Sequence, residues 1–240
     1  MPRPLIDLLW RDHPQAPSGG RRGPRSRVET GAVVDAAVRL ADAHGLASVT
    51  IRSLGAELGV STMSVYTHVN SRDDLLVLMA DRVHLSAERP DFGRRGWRGR
   101  VGLVAAANRA LLEAHPWLLE VDDERTALGP GTIAKYDHEL GALEQLGLDD
   151  LTRDAALTFV LDFVRAGVRA ALADARSADL AEHWQEWGPR LAHYLGDDFP
   201  LAQRVGAAAG EAQGGVRDAD FAWEFGLARV LDALAGLRRP

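Results

Sequence analysis

The sequence predicts an all-α chain in two helical parts, and three observations carry that expectation. From residue 28 onward apolar side chains recur at three- and four-residue spacing, with no stretch alternating as a half-buried strand would. Thr50 to Arg72 reads as two short helices around a tight Gly59-Val60-Ser61 turn. Charge is unevenly divided: residues 1 to 72 hold nine arginines against six acids, a net of +3, so the total of −6 leaves −9 for residues 73 to 240. With 240 residues and 46% hydrophobic side chains there is core enough for one small and one medium domain.

Residues 11 to 26 are rich in Pro, Gly and Arg, so residues 1 to 26 read as a flexible basic arm. Arg21, Arg22 and Arg25 would reach a minor groove; a leader that only raises solubility or nonspecific attraction fits the same composition. Helices follow over 28–44 and 51–58, the second capped by Thr50 and carrying Leu54 and Leu58 on one face. Ala56 is expected where two helices cross, Gly59 accepts the left-handed backbone that ends a helix, and Ser61 caps a helix over 62–68. Val65 and Val69 face Leu54 and Leu58, so at about 100° per residue Met63, Ser64 and Thr67 turn outward, flanked by Tyr66 and His68. A face of small uncharged residues suits a DNA major groove roughly 12 Å wide, whereas a merely solvated helix carries more charge. Ser71 opens the next helix, and Arg72 in its first turn opposes the helix dipole, which suggests a phosphate as its reason to be there.

Further helices are expected over 72–88, 97–115, 130–146, 150–173, 178–195 and 218–237, with a shorter one over 200–209. Gly129-Pro130-Gly131 and Gly214-Gly215 mark loops, and Asp122-Asp123-Glu124 an acidic surface turn. Helix 150–173 is apolar nearly all round, and helix 218–237 carries an apolar face with Asp218 and Asp220 at its start and Arg238 and Arg239 at its end, as the dipole favours. Both helices fit an ordinary monomeric core. Because a helix-turn-helix reading one half-site gains specificity from pairing, a twofold homodimer on a roughly palindromic double-stranded operator is expected. Its interface would use Leu157, Val160, Leu161, Val164, Val168, Trp223, Leu227, Val230, Leu231 and Leu234.

The absence of cysteine excludes disulfides, thiolate metal sites and cysteine nucleophiles. PLIDLLW at residues 4–10 is interrupted by Asp7 and lacks a cleavage site, while 155–172 contains Asp162, Arg165 and Arg169, so neither a signal peptide nor a membrane span is expected and a cytoplasmic location is. Between residues 79 and 165, His84, Asn108, His115, Trp117, Tyr136 and His138 lie among apolar residues including Phe159 and Phe163, a mixture that suits a ligand pocket. Singly each reads as structural: His115-Pro116-Trp117 as a helix end, Trp184 and Trp187 as packing. No metal-ligand spacing, cofactor motif, phosphate loop, nucleophile elbow or pair of Glu-x-x-His motifs proposes a metal, a cofactor or a reaction.

On the frame Leu54, Ala56, Leu58, Gly59-Val60-Ser61, then Val65-Tyr66-x-His68-Val69, Ser71-Arg72 and Leu75-Leu76, residues 27 to 78 resemble the DNA-binding domain of the TetR family of bacterial transcriptional regulators. The resemblance implies recognition by Thr62, Met63, Ser64 and Thr67, with Thr50 and Arg52 from the preceding helix, and backbone contacts by Tyr66, His68 and Arg72. Arg72 stands where lysine is common, and Thr67 is smaller than in many relatives. Residues 79 to 240 are similar, through Tyr136–Ala173 and Phe225-Gly226-Leu227, to the tetracycline-repressor-like ligand-binding and dimerisation domain, whose two corresponding helices form a four-helix bundle across the twofold axis. Val121 or its neighbours fall where the tetracycline repressor places a metal-holding histidine, so tetracycline is not the expected ligand. What is implied is a repressor released by a small, mostly apolar effector, with helix 72–88 as lever. Control by a protein partner, or no effector, is the alternative, and a helical-bundle enzyme the remote one. A closed cavity between helices 72–173 would favour the effector, a filled one the alternative.

Overall fold

The computed structural model describes residues 3–16, 28–176, 178–213 and 218–237, with side chains throughout except at 175, 176, 178–182, 184, 185 and 211–213. Arg21, Arg22, Arg25, the side chain of Trp184, Gly214-Gly215, Arg238 and Arg239 therefore lie outside the described residues. Among the described residues every regular element is helical. None of the helices described is long and apolar enough to cross a membrane.

The chain divides into two compact units, residues 1–157 and 158–240. The first contains α1 (Leu5–Leu9), α2 (Thr30–His44), α3 (Ile51–Leu58), α4 (Thr62–Tyr66), α5 (Arg72–Ser86), α6 (Trp97–Ala114), α7 (Pro130–Gly141) and the start of α8 (Asp150–Arg176). The rest of α8, α9 (Ala178–Leu195), α10 (Pro200–Gln213) and α11 (Ala219–Ala235) form the second.

Capping decides where most of these helices begin. Ser61 accepts from the Ser64 amide, Ser71 from the Asp74 amide and Asp218 from those of Asp220 and Phe221, each answering an orphan donor of a first turn. Helix α7 begins at Pro130 behind a glycine that offers no cap, and the missing acceptor comes from α5: Asp81 Oδ1 takes the Thr132 amide at 2.9 Å. The two helices can meet there because position 131 lacks a side chain; a Cβ on Gly131 would lie 2.2 Å from the Asp81 carbonyl oxygen.

Two expectations need correction. Residues 1 to 26 are not flexible throughout: α1 forms, and Leu8 and Leu9 are only 3% and 4% exposed against the molecule. The helix expected over 130–146 stops at Gly141 and resumes as a 3-10 turn at Glu144–Leu146. The acidic turn at 122–124 leads into a 3-10 turn, Glu124–Leu128, with Asp123 as its cap.

In the second unit α8 and α11 pack closely. Phe163 and Trp223 stand 5.2 Å apart at their ring centres, and a Cβ on Gly226 would lie 2.4 Å from the Phe163 ring. On α9, Trp187 stacks on His183 at 4.5 Å.

Candidate nucleic-acid interface

The core beneath α3 and α4 is made of Leu54, Val65 and Val69, exposed by 0%, 0% and 1%. Thr50 and Ser53 cap each other reciprocally at 3.0 Å, which fixes the start of α3. Gly59 ends it at φ 64°, and the Val60 amide returns to the Gly55 carbonyl at 2.9 Å. The crossing expected at Ala56 falls instead on its neighbour: Gly55 is buried where a Cβ would meet the Val60 carbonyl at 2.9 Å, while Ala56 is exposed.

With one side of α4 buried, the other presents Thr62, Met63 and Tyr66, the last two 72% and 52% exposed. Ser64 is half-buried and paired with Ser61. Thr67 lies just past the end of α4, its hydroxyl donating to the Ser64 carbonyl at 2.6 Å, so its methyl is left to face outward. Arg52 is exposed beside this surface, and Thr50 is exposed at the head of α3.

Of the three residues expected to meet phosphate, His68 and Arg72 are partly engaged within the protein. His68 Nδ1 lies 3.1 Å from the Thr30 hydroxyl, and burial, then the nearby charge of Arg3, hold its pKa below the usual histidine value. Arg72 donates from Nε to the Val49 carbonyl at 3.3 Å and from a terminal nitrogen to that of Leu46 at 3.1 Å. Arg72 thus ties α5 to the turn before α3 through two of its donors.

The residues expected around a ligand do not converge. His84, Asn108 and His138 line one cleft in the first unit with Leu111, Lys135 and Glu139. Its free volume is about 20 Å³, room for roughly one water molecule. Asn108 donates to the buried Glu139, whose charge Lys135 answers at 2.8 Å, and His84 meets the Thr132 hydroxyl at 2.9 Å. His138 stacks on Phe92 at 4.6 Å, and its buried Nε2 has no partner among the described residues.

His115 and Trp117 do not belong to that group, since Asp42 of α2 takes both, at 2.7 Å each. Tyr136 donates to Asp154 at 2.7 Å, Phe159 is 48% exposed and Phe163 packs on Trp223. Sequence reading missed Phe92, Lys135 and Glu139; only the Lys135–Glu139 pair, four residues apart on one helix, was legible as a local signal.

The interface expectation changes too. Leu157, Val160, Val164, Val168, Val230 and Leu234 are buried within the single chain, at 6% exposure or less. Leu161, Trp223, Leu227 and Leu231 are half-buried. On α8 and α11 the strongly exposed apolar side chains are Leu151, Phe159, Phe221 and Phe225.

A capped pair of helices presenting an uncommitted outer face defines a helix-turn-helix protein. Comparison with known proteins gives the family. The model described as bacterial regulatory proteins, tetR family, matches residues 33–79, and that of the tetracyclin repressor-like C-terminal domain matches residues 89–238. A curated relative, the HTH-type transcriptional repressor DrrR1 of Streptomyces coeruleorubidus, is 36% identical over 236 residues, 95% of this chain and 84% of its own. The chain belongs to the TetR family, and is a DNA-binding transcriptional regulator rather than an enzyme.

Two solved structures share the fold. ActR from Streptomyces coelicolor in complex with (S)-DNPA has a TM-score of 0.69 at 24% identity, covering 90% of this chain and 100% of that one. Mycobacterium smegmatis BioQ, solved with its natural double-stranded DNA operator, has a TM-score of 0.59 at 21% identity, covering 88% and 99%.

Proposed function

We propose that this regulator is a homodimeric repressor that reads a roughly palindromic operator through α4 and is released by a small, mostly apolar effector. The observation that carries the DNA reading is the outer face of α4, where Thr62, Met63 and Tyr66 stand exposed on a helix capped and backed by core. Met63 and the Thr67 methyl suit apolar contact with thymine methyl groups, Arg52 reaches base edges or phosphate, and Tyr66 flanks the backbone. Thr50, Ser64 and His68 shape that surface mainly through their bonds inside the head.

Pairing of two heads at about one DNA turn, 34 to 36 Å, gives the operator its symmetry. Phe159, Phe221 and Phe225 supply the exposed apolar area for that pairing. Binding selection from a random duplex library tests the assignment: Met63→Ala and Thr67→Ala change the preferred sequence while leaving the salt dependence unaltered. An unchanged preference in both variants removes α4 from base readout.

The effector reading rests on His138, which lines the cleft and whose buried Nε2 has no hydrogen-bond partner among the described residues. An effector there must open a space with room for about one water, so binding and movement of α5 or α7 are one event. That same small volume favours a second reading, control by a partner protein or by none. A thermal-shift screen of hydrophobic metabolites separates the two: an effector at 100 times its Kd stabilises by about 2.7 kcal/mol, and the stabilisation falls in His138→Phe.

A further inference from the structure

The N-terminal strap has a fixed course. Leu8 and Leu9 bury on the molecule, α1 packs on α5, and the Trp10 indole donates to the Leu128 carbonyl at 2.8 Å. Arg11 closes the end of α1 by donating to the Leu8 carbonyl at 2.9 Å. Running back from α1, the chain reaches Asn70, whose side-chain nitrogen donates to the Arg3 carbonyl at 2.9 Å and to Asp74 at 2.9 Å. Asn70 follows Tyr66 by four residues, so residue 3 is pinned at the end of the recognition segment. The Arg3 side chain is exposed, with its charge near enough to His68 to oppose protonation there.

We propose that Arg3 is a DNA phosphate contact, delivered beside the recognition helix by the strap that docks α1 on α5. The inference rests on the reading of α4 as the helix in the major groove. It accounts for a pattern that packing alone does not. A terminal segment is tied down at Trp10, at Leu8-Leu9 and at its backbone near residue 3, and the cation at its end is left exposed. It also supplies charge where Arg72 has two of its donors turned inward. A guanidinium suits the task because it holds its charge at any working pH and offers a planar fork to phosphate oxygens.

The test is fluorescence anisotropy of the full chain with a labelled 30-base-pair duplex of mixed sequence, across a potassium chloride series. Each phosphate contact contributes a log–log salt slope of about 0.9, so Arg3→Ala lowers the slope by about 1.8 for a dimer. Arg3→Lys keeps it, and Arg204→Ala on α10 serves as a charge control and leaves it unchanged. A parental slope in Arg3→Ala overturns the proposal, whatever happens to His68 in the free protein. Loss of the same size in Arg204→Ala also overturns it, by showing a net-charge effect. A parent chain with no salt-dependent binding to any duplex brings down the reading of α4 itself, and the role of Arg3 with it.

Discussion

Neighbouring helices α4 and α5 use their polar side chains in opposite ways. On α4 the hydroxyls close on their own turn, Ser64 with Ser61 and Thr67 with Ser64, and the rest of the surface is left exposed. On α5, apart from Ser86, which bonds back into its own helix, polar groups reach outside it: Asp74 to Asn70 and Arg125, Asp81 to Thr132, Arg82 to Asp35 of α2, and His84 to Thr132. A helix whose side chains are uncommitted is available to an external partner. One whose side chains are tied to its neighbours transmits displacement, because it cannot move without moving α2, α7 and the turn at 124–128. Substitutions on α4 should therefore register as affinity, and those along α5 as stability.

The largest effect is expected where α5 meets α7. In Gly131→Ala the new methyl would sit 2.2 Å from the Asp81 carbonyl oxygen and 2.7 Å from the Leu85 amide nitrogen, both backbone atoms that no rotamer change can move aside. The helices must separate, at a cost of about 3 kcal/mol, visible as a lower urea midpoint. Gly226→Ala makes a useful contrast in the second unit, because the atom it meets belongs to the Phe163 ring, which can turn. A Gly131→Ala protein as stable as the parent would show that α5 and α7 are not locked.

Arg72→Ala comes next. Its two hydrogen bonds to carbonyls place it with α5, so the variant should lose about 1.5 kcal/mol of stability, in addition to any change in salt slope. An unchanged urea midpoint with a reduced salt slope would move Arg72 to the α4 side of the comparison, as a phosphate ligand held only loosely by the protein.

The fold was legible where the signal is local. Helical periodicity and caps placed α3 at Ile51–Leu58 and α9 at Ala178–Leu195, the spans expected, and most other boundaries within three residues. Helix α1 was not legible, because five residues carry too little periodicity and what holds them is the distant surface of α5. The same limit applies to the cleft. His115, Trp117 and Tyr136 share composition with His84, Asn108 and His138, but Asp42 and Asp154 claim them, and no local pattern reveals a partner 18 to 75 residues away. The residues expected at a dimer interface meet a further limit: periodicity marks a face as apolar without saying whether the chain itself or a second copy covers it, and six of those ten are covered within the chain. Outward residues of α4 were easier, since in a helix backed by Val65 and Val69 the exposed face follows from geometry.

The smallest effect tests whether the committed helix is held by charge or by hydrogen bonds. Asp81 is 5% exposed, and burial raises its carboxyl above the usual carboxylate value despite the amides of Thr132 and Gly131 and the charge of Arg11. In the pH range between the ordinary value of 3.8 and that raised one, the folded protein binds more protons at this site than the unfolded chain does. Stability from Asp81 is therefore greatest below the window and declines as pH rises through it. Asp81→Asn keeps one acceptor for the Thr132 amide and removes the titration, so it should cost at most about 1 kcal/mol, with a deficit relative to the parent that shrinks as the pH rises above the ordinary value of 3.8. Urea midpoints of the two proteins across that range measure it, and shared titrations cancel in the difference. A deficit that grows with pH would mean that α7 is capped by a fully charged carboxylate, and that the tie between α5 and α7 is electrostatic first and a hydrogen bond second.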